Sequence, residues 1–437
     1  MKCDGCGTES EFEAAFAKER KSFSKSTRTL CPMCRGRRRR TFEGWYQVAV
    51  MVGGVVGYTI LWRYPWSSVG RFLTILFLMD IFLILSIVPH ELGHAIMGRL
   101  LGWRVFAIVI GIGKRIFKFN LFGMIFSFHW LPVGGLAQLA PTDTRWFRTK
   151  RFLVYLAGPA VNGAIVGIIL CIWWDSFREW GFYWGLPRPA RLCLWANFWI
   201  MVVNLWPHRS RVLNADTDGM QLLKTFSKKP KDAEELQALR FALEASLRRD
   251  EHKDMEGALD WCNRGLALYP QNVALLNLSG ILCLDKQDYT RAREIFLQLL
   301  NSEMNAGTRY VILNNIAYAD ALIGDPTLLP EADAYSKEAF NAAPWAASLI
   351  GTRGTVLVEM GQLQEGIKLL REALEKHHAL RSKALNACYL AIAYVRMGDR
   401  DQAGKYLKLA REVDPQCQLL DRAEIELEGK TASPVGN

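Results

Sequence analysis

Apolar positions are unevenly spread along this chain. The long apolar runs fall between residues 46 and 207, and the segments on either side are polar and charged. Four runs, 46–62, 72–100, 152–173 and 192–206, approach the roughly 20 residues that a helix needs to cross a hydrocarbon layer. Between the second and third, residues 105–128 are rich in Ile, Val and Phe, with Gly111, Gly113 and Gly123 as punctuation. That composition predicts one or two β-hairpins rather than a helix. Leu131-Pro132-Val133-Gly134-Gly135 follows. Non-helical backbone at membrane depth needs protein or a wet cavity around it, and the alternative is a hairpin lying on the membrane surface. The pattern predicts a mainly α protein. A polytopic membrane helix bundle with an inserted hairpin region covers 46–230, a small module covers 1–45, a helical region covers 231–428, and a disordered tail covers 429–437.

The region after 231 repeats. Ala258, Ala292, Ala332, Gly366 and Ala403 are small residues spaced 34, 40, 34 and 37 apart. Pro270, Pro344 and Pro415 each stand twelve residues after one of them, and Gly280, Gly354 and Ala391 stand twelve before others. Small residues at helix crossings with Pro at the turn resemble the tetratricopeptide repeat, which implies an α-solenoid of about five helix pairs. Such a solenoid implies a protein or peptide partner.

Charge sets the orientation of the apolar runs. The net charge is +11. Arg35 and Arg37–Arg40 precede the first run. Arg99, Arg104, Lys114, Arg115, Lys118, Arg145, Arg148, Lys150 and Arg151 lie between the second and third, and Arg209, Arg211 and Lys224 follow the fourth. The other two connections carry few cations. The positive-inside rule then predicts a multi-pass membrane protein with both termini cytosolic. The basic residues read as topology, so no nucleic-acid partner is expected. Trp62, Trp66, Trp173, Trp174, Trp180 and Trp184 read as an aromatic belt on the outer side. The polar, cysteine-bearing start has no signal-peptide pattern.

The candidate chemistry sits in the second run, at His90-Glu91-Leu92-Gly93-His94. On a helix, positions i and i+4 share a face, so His90 and His94 can hold one metal ion. Glu91 stands where a carboxylate can take a proton from the water that a metal activates. This is the H-E-x-x-H pattern of zinc hydrolases. Two histidines and a glutamate inside an apolar helix are costly without a function. His90 lies 18 residues beyond Phe72, roughly 27 Å along a helix, which puts the site near the cytosolic edge of the membrane. Asp80 is a further acid in this run and receives no role. A catalytic zinc commonly keeps three protein ligands. The candidates for the third are Asp216 and Asp218, with His208 and His129 weaker. Cys3-x-x-Cys6 and Cys31-x-x-Cys34, with 24 residues between them, make two knuckles able to close a structural zinc site. Of ten cysteines the other six are scattered singly, which fits a reducing cytosol.

Residues 72–225 resemble the site-2 protease family, the intramembrane zinc metalloproteases of peptidase family M50. The resemblance rests on His90–His94, on Pro132-Val133-Gly134-Gly135 (similar to P-x-G-G), on Ala157-Gly158-Pro159-Ala160-Val161-Asn162 (similar to A-G-P-x-x-N), and on Asn204-Leu205-Trp206-Pro207 followed by Asp218-Gly219. It implies that His90, His94 and Asp218 bind a catalytic zinc and that Glu91 is the general base. Asn162 would hold substrate or the developing oxyanion, and Pro132, Gly134 and Gly135 would belong to a strand that pairs with an unwound substrate segment. The implied activity is cleavage of a single-span membrane protein near its cytosolic edge, in regulated intramembrane proteolysis. The gap between Asn204 and Asp218 is longer than in the commoner family pattern. The alternative function is an inactive membrane-anchored scaffold that binds proteins through its zinc ribbon and repeats.

Overall fold

The computed structural model describes residues 2–4, 9–10, 17–20, 27–64, 67–184, 186–210, 215–226, 231–302, 304–376 and 379–429. Cys6 and the tail 430–437 lie outside them. The chain divides into two compact units, one of residues 38–243 and one of 1–37 with 244–437.

In chain order the elements begin with β1 (Ala17–Arg20) and β2 (Thr27–Leu30), an antiparallel pair, followed by helices α1 (Pro32–Arg63) and α2 (Ser68–Leu100). Strands β3 (Arg104–Leu121) and β4 (Met124–Ala140) form the inserted hairpin. Helices α3 (Phe147–Ile172), α4 (Trp174–Trp184) and α5 (Arg188–Leu205) follow. The short pair β5 (Arg209–Ser210) and β6 (Ala215–Asp216) then leads into α6 (Asp218–Thr225).

Two of the four predicted spans, α2 and α3, are long and apolar enough to cross a membrane by length and composition. Among the described residues the other two do not reach that length and composition. In α5, Arg188 and Arg191 occupy the first turn, and the remaining 192–205 reaches only about 21 Å. Among the described residues the apolar part of α1 is Val48–Arg63.

One long hairpin replaces the predicted one or two, and it takes in Leu131–Gly135 as part of β4. It is folded on itself. Ala107 and Ile110 register with Gln138 and Gly135 on one side and with Ile125 and Phe128 on the other, while Phe117–Leu121 registers with Phe128–Met124. Gly111 and Gly113, with φ of 86° and 89°, let β3 turn where residues with a Cβ would be strained. Because Ala107–Ile110 is flanked on both edges, the strand buries a nearly continuous apolar run from Val105 to Ile110. Val105, Ile108, Ile110, Met124 and Phe126 pack on Ala95, Leu92 and Val88 of α2.

Helices α2, α3 and α5 pack on one another. The approach of α2 to α3 is set by glycine. A Cβ at Gly93 would stand 2.8 Å from Ala157 O, and a Cβ at Gly158 would overlap the His94 ring.

The second unit holds helices α7 to α17, of which α7 (Lys231–Leu247) begins in the first unit. They continue as α8 (Met255–Leu268), α9 (Val273–Asp285), α10 (Tyr289–Leu300), α11 (Ala306–Ile323), α12 (Leu329–Ala342), α13 (Ala347–Glu359), α14 (Leu363–Lys376), α15 (Leu380–Arg396), α16 (Arg400–Val413) and α17 (Leu420–Glu428). The predicted small residues fall where successive helices touch. Ala258, Ala292, Ala332 and Ala403 are fully buried. Asp254, Asn272, Asp288, Asn305 and Asp399 accept backbone N–H bonds as N-caps and start five of these helices. In the same unit, Cys3, Leu30 and Cys31 cluster with Cys34 and Trp345, and Ser10 Oγ donates to Ala342 O at 2.5 Å. The N-terminal segment therefore packs against the corner between α12 and α13.

Gly354 is one of the tight helix crossings that sequence spacing picks out. A Cβ there would stand 2.8 Å from Leu370 Cγ and 3.0 Å from Gly366 O, whereas one at Gly404 in α16 meets nothing within 4 Å. Gly354→Leu is expected to lower the stability of the repeats by about 1–3 kcal/mol through overpacking. Gly404→Ala should raise it by up to about 1 kcal/mol through helix propensity. Thermal unfolding of the two variants against wild type checks both signs.

Candidate metal centre

Helix α2 carries His90 and His94 one turn apart, with their rings at 86° and 4.9 Å between centroids. All three of His90, Glu91 and His94 are buried. Each imidazole uses Nδ1 on an oxygen: His90 Nδ1 lies 2.6 Å from Asn162 Oδ1, and His94 Nδ1 lies 2.7 Å from Val154 O. Both acceptors come from α3, so packing of α3 on α2 fixes both rings. The two Nε2 atoms are left facing each other at 3.3 Å. Asp218 closes the set, with Oδ2 3.1 Å from His90 Nε2 and Oδ1 3.3 Å from His94 Nε2. A carboxylate and two imidazole nitrogens converging with their lone pairs inward, and with Nδ1–H donated outward, suit a zinc ion that keeps a fourth position open.

The two aspartates left open by the sequence separate here. Asp216 ends β6, and its carboxylate pairs with Lys224. Asp218 is the first residue of α6. Thr217 sits between them, its Oγ1 donating to Trp206 O at 2.8 Å and accepting from His208 N at 3.1 Å. The loop is thereby drawn shut, and the chain turns into the helix at Asp218. Gly219 permits that turn, since a Cβ there would overlap the Leu205 carbonyl. Arg151 supports it from α3, with Nη2 2.9 Å from Gln221 Oε1 on α6. His208 bonds Trp206 O and lines the cavity without joining the triad. His129 is held between Ser127 and Gly113 in the hairpin.

A cavity of about 340 Å³ opens on these residues. It is lined by His90, Glu91, His94, Gly134, Gly135 and Asp218, together with Tyr155, Trp199, Asn204 and Asp216. Glu91 accepts a bond from the Ala137 backbone in β4. Gly135 is what lets β4 come this close, because a Cβ there would fall on the Glu91 side chain. Pro132 lies in β4, with its side chain outside the described residues.

Asn162 is placed differently from the family expectation. It is fully buried and does not line the cavity. Its carboxamide is taken up by His90, by Asn197 Oδ1 at 2.7 Å and by Ser86 O at 3.2 Å. Sequence reasoning missed Asn197, whose signal was a carboxamide in the middle of an apolar run. It also read Arg151 only as a topological charge.

Among the described residues a second group of metal-ligand type is Cys3, Cys31 and Cys34, whose Sγ atoms lie within 4.8 Å of one another. Cys31 N donates to Cys3 Sγ at 3.2 Å and Cys34 N to Cys31 Sγ at 3.5 Å. Backbone N–H groups aimed at sulfur suit thiolates gathered on a metal.

The arrangement has known relatives. Residues 78–239 match the family model "Peptidase family M50". A Helicobacter pylori (strain J99) protein named "Putative zinc metalloprotease" is 43% identical over 54 residues, covering 12% of this chain and 15% of the relative. A Clostridium acetobutylicum protein, "Putative zinc metalloprotease CA_C1796", is 28% identical over 95 residues, 20% of this chain and 28% of that one. The chain thus spans less than a third of the length of these relatives. Among solved structures, the TPR protein YrrB matches 44% of this chain and 94% of its own at 19% identity, with a TM-score of 0.28. TTC0263, a TPR protein of Thermus thermophilus, matches 44% and 99% at 22% identity, with a TM-score of 0.35. Residues 78–239 are thus similar to peptidase family M50, and a run of paired helices follows them.

Asp218→Ala is expected to remove the metal from the His90–His94 site, and Asp216→Ala to leave it in place, since Asp216 is engaged by Lys224. Zinc content of the two purified variants decides. Retention in Asp218→Ala with loss in Asp216→Ala would move the third ligand by two residues.

Proposed function

We propose that this chain is an intramembrane zinc endopeptidase that cuts a single-span membrane protein near the cytosolic face. The observation that carries the reading is the convergence of His90 Nε2, His94 Nε2 and the Asp218 carboxylate beside Glu91 in one cavity. His90, His94 and Asp218 would hold the ion. Zinc bound there supplies Lewis acidity, acidifying water and polarising a carbonyl. Glu91 accepts the proton of the attacking water and passes it to the leaving amine. Its burial against β4 keeps it aimed at the cavity, and the Gly134–Gly135 edge offers backbone to an unwound substrate segment.

The membrane topology belongs to the same proposal. An even number of crossings puts both termini in the cytosol, and the reading is supported by the packing of residues 1–37 with 244–437 in one compact unit. Two segments that pack together occupy the same side of the membrane, which requires an even number of crossings between them. The aqueous unit carries a structural zinc at Cys3, Cys31, Cys34 and Cys6, and its repeats take a protein or peptide partner.

Glu91→Gln leaves every ligand in place and removes the base. It should retain zinc and lose cleavage of a model single-span substrate by about 10²-fold or more. Activity within a few-fold of wild type sinks the mechanism. Metal analysis of the wild-type chain should return two zinc ions, falling to one in Cys31→Ser. A single ion in wild type would reject one of the two sites.

A further inference from the structure

We propose that Asn197 is a positioning residue of the metal centre: it locks the Asn162 carboxamide in the one orientation that turns the His90 Nε2 lone pair toward the metal. The inference rests on the metal-centre reading above and adds a residue that neither the motif nor the metal-ligand set contains.

The network ends on backbone carbonyls, whose polarity is fixed. Asn197 is 1% exposed, at the centre of α5. Its nitrogen faces Cys193 O at 2.9 Å. A backbone carbonyl only accepts, so the atom facing it is the Nδ2 donor, and Oδ1 of Asn197 is the atom turned toward Asn162. Asn162 Nδ2 then donates to Asn197 Oδ1 at 2.7 Å and to Ser86 O at 3.2 Å. Ser86 O is again a pure acceptor. Both protons of Nδ2 are therefore committed, and Asn162 presents only Oδ1 to His90 Nδ1 at 2.6 Å. An oxygen there requires Nδ1 to carry the proton, and the neutral ring then has its lone pair on Nε2. Nε2 is the atom that faces His94 and Asp218.

The chain of bonds crosses three helices: α5 supplies Asn197, α3 supplies Asn162, and α2 supplies Ser86 and His90. Without the Asn197 acceptor, Ser86 O alone opposes rotation of the Asn162 amide, which would turn Nδ2–H toward Nδ1 and move the ring proton to Nε2, against the metal. His94 uses a simpler device, the Val154 carbonyl, which admits one tautomer by itself. His90 faces a side chain that reads either way, and Asn197 supplies the missing sense.

The test measures metal affinity on the full-length chain in detergent, by zinc retained after dialysis against graded chelator, for wild type, Asn197→Leu, Asn197→Asp and His90→Ala. Asn197→Leu removes the acceptor and should release the membrane-site zinc at roughly 10- to 100-fold lower chelator strength. Asn197→Asp, its carboxyl protonated in this buried position, donates to Cys193 O, still accepts from Asn162 Nδ2 and should hold zinc within a few-fold of wild type. If Asn197→Leu holds zinc as wild type does, the proposal is wrong. If Asn197→Asp is as weak as Asn197→Leu while both unfold at the same temperature, the effect is packing and the proposal is again wrong. His90→Ala separates the two levels: if it keeps the full wild-type zinc count, the metal-centre reading itself fails, whatever Asn197 does.

Discussion

Everything at the metal centre depends on how closely α3 approaches α2. The contact is made where neither helix has bulk to spare: Gly93 faces the Ala157 carbonyl, and Gly158 faces the His94 ring. A methyl group at either point forces a shift. The approach matters because α3 provides the acceptor for each histidine, Val154 O for His94 and Asn162 Oδ1 for His90. Separation of the helices by the thickness of one side chain would take both acceptors out of hydrogen-bond range. The A-G-P-x-x-N pattern thus has a physical reading in this chain. Gly158 makes room for one ring, and Asn162, one helical turn on, orients the other.

A second constraint is the cost of burying polar groups. His90, Glu91, His94, Asn162 and Asn197 are nearly or fully inaccessible among apolar side chains. Unsatisfied, each would cost about 1–3 kcal/mol, and more if charged. The carboxamides satisfy one another in series and end on backbone carbonyls, while the histidines place their remaining nitrogens together with Asp218. That leaves one concentrated point where lone pairs converge without a donor between them, which is the requirement for a cation. The hairpin completes the enclosure: β4 reaches Glu91 only because Gly135 has no side chain to hold it off.

These constraints also explain which features could be read from the sequence. His90, Glu91 and His94 were legible because helical periodicity alone puts i and i+4 on one face. The repeats were legible because small residues recur at helix crossings, as Gly354 against Gly366 shows. The choice between Asp216 and Asp218 was not legible from periodicity. It is decided by Thr217, which ties the loop to Trp206 and His208 and starts α6 one residue later. The folding of the hairpin on itself was hidden as well. It depends on positive φ at Gly111 and Gly113, which a composition of Ile, Val and Phe does not report. Asn162 was found by resemblance, but its partners were not legible, because they come from helices far apart in sequence.

The two metal-ligand groups differ in a way that follows from where each is built. The cysteine group lies in a segment too short to bury a core of its own, and the structure gives it Leu30 and Trp345 to pack against. A metal gathered by thiolates there would act mainly on folding, since four sulfur ligands leave no open position. The histidine–aspartate group draws its side chains from one long helix and the start of a short one, both packed against α3. An ion held by these three residues would keep a position toward the cavity that Glu91 and Gly135 line. An ion in the first group would be expected to stabilise one unit of the chain. An ion in the second would face the cavity and be available for chemistry there.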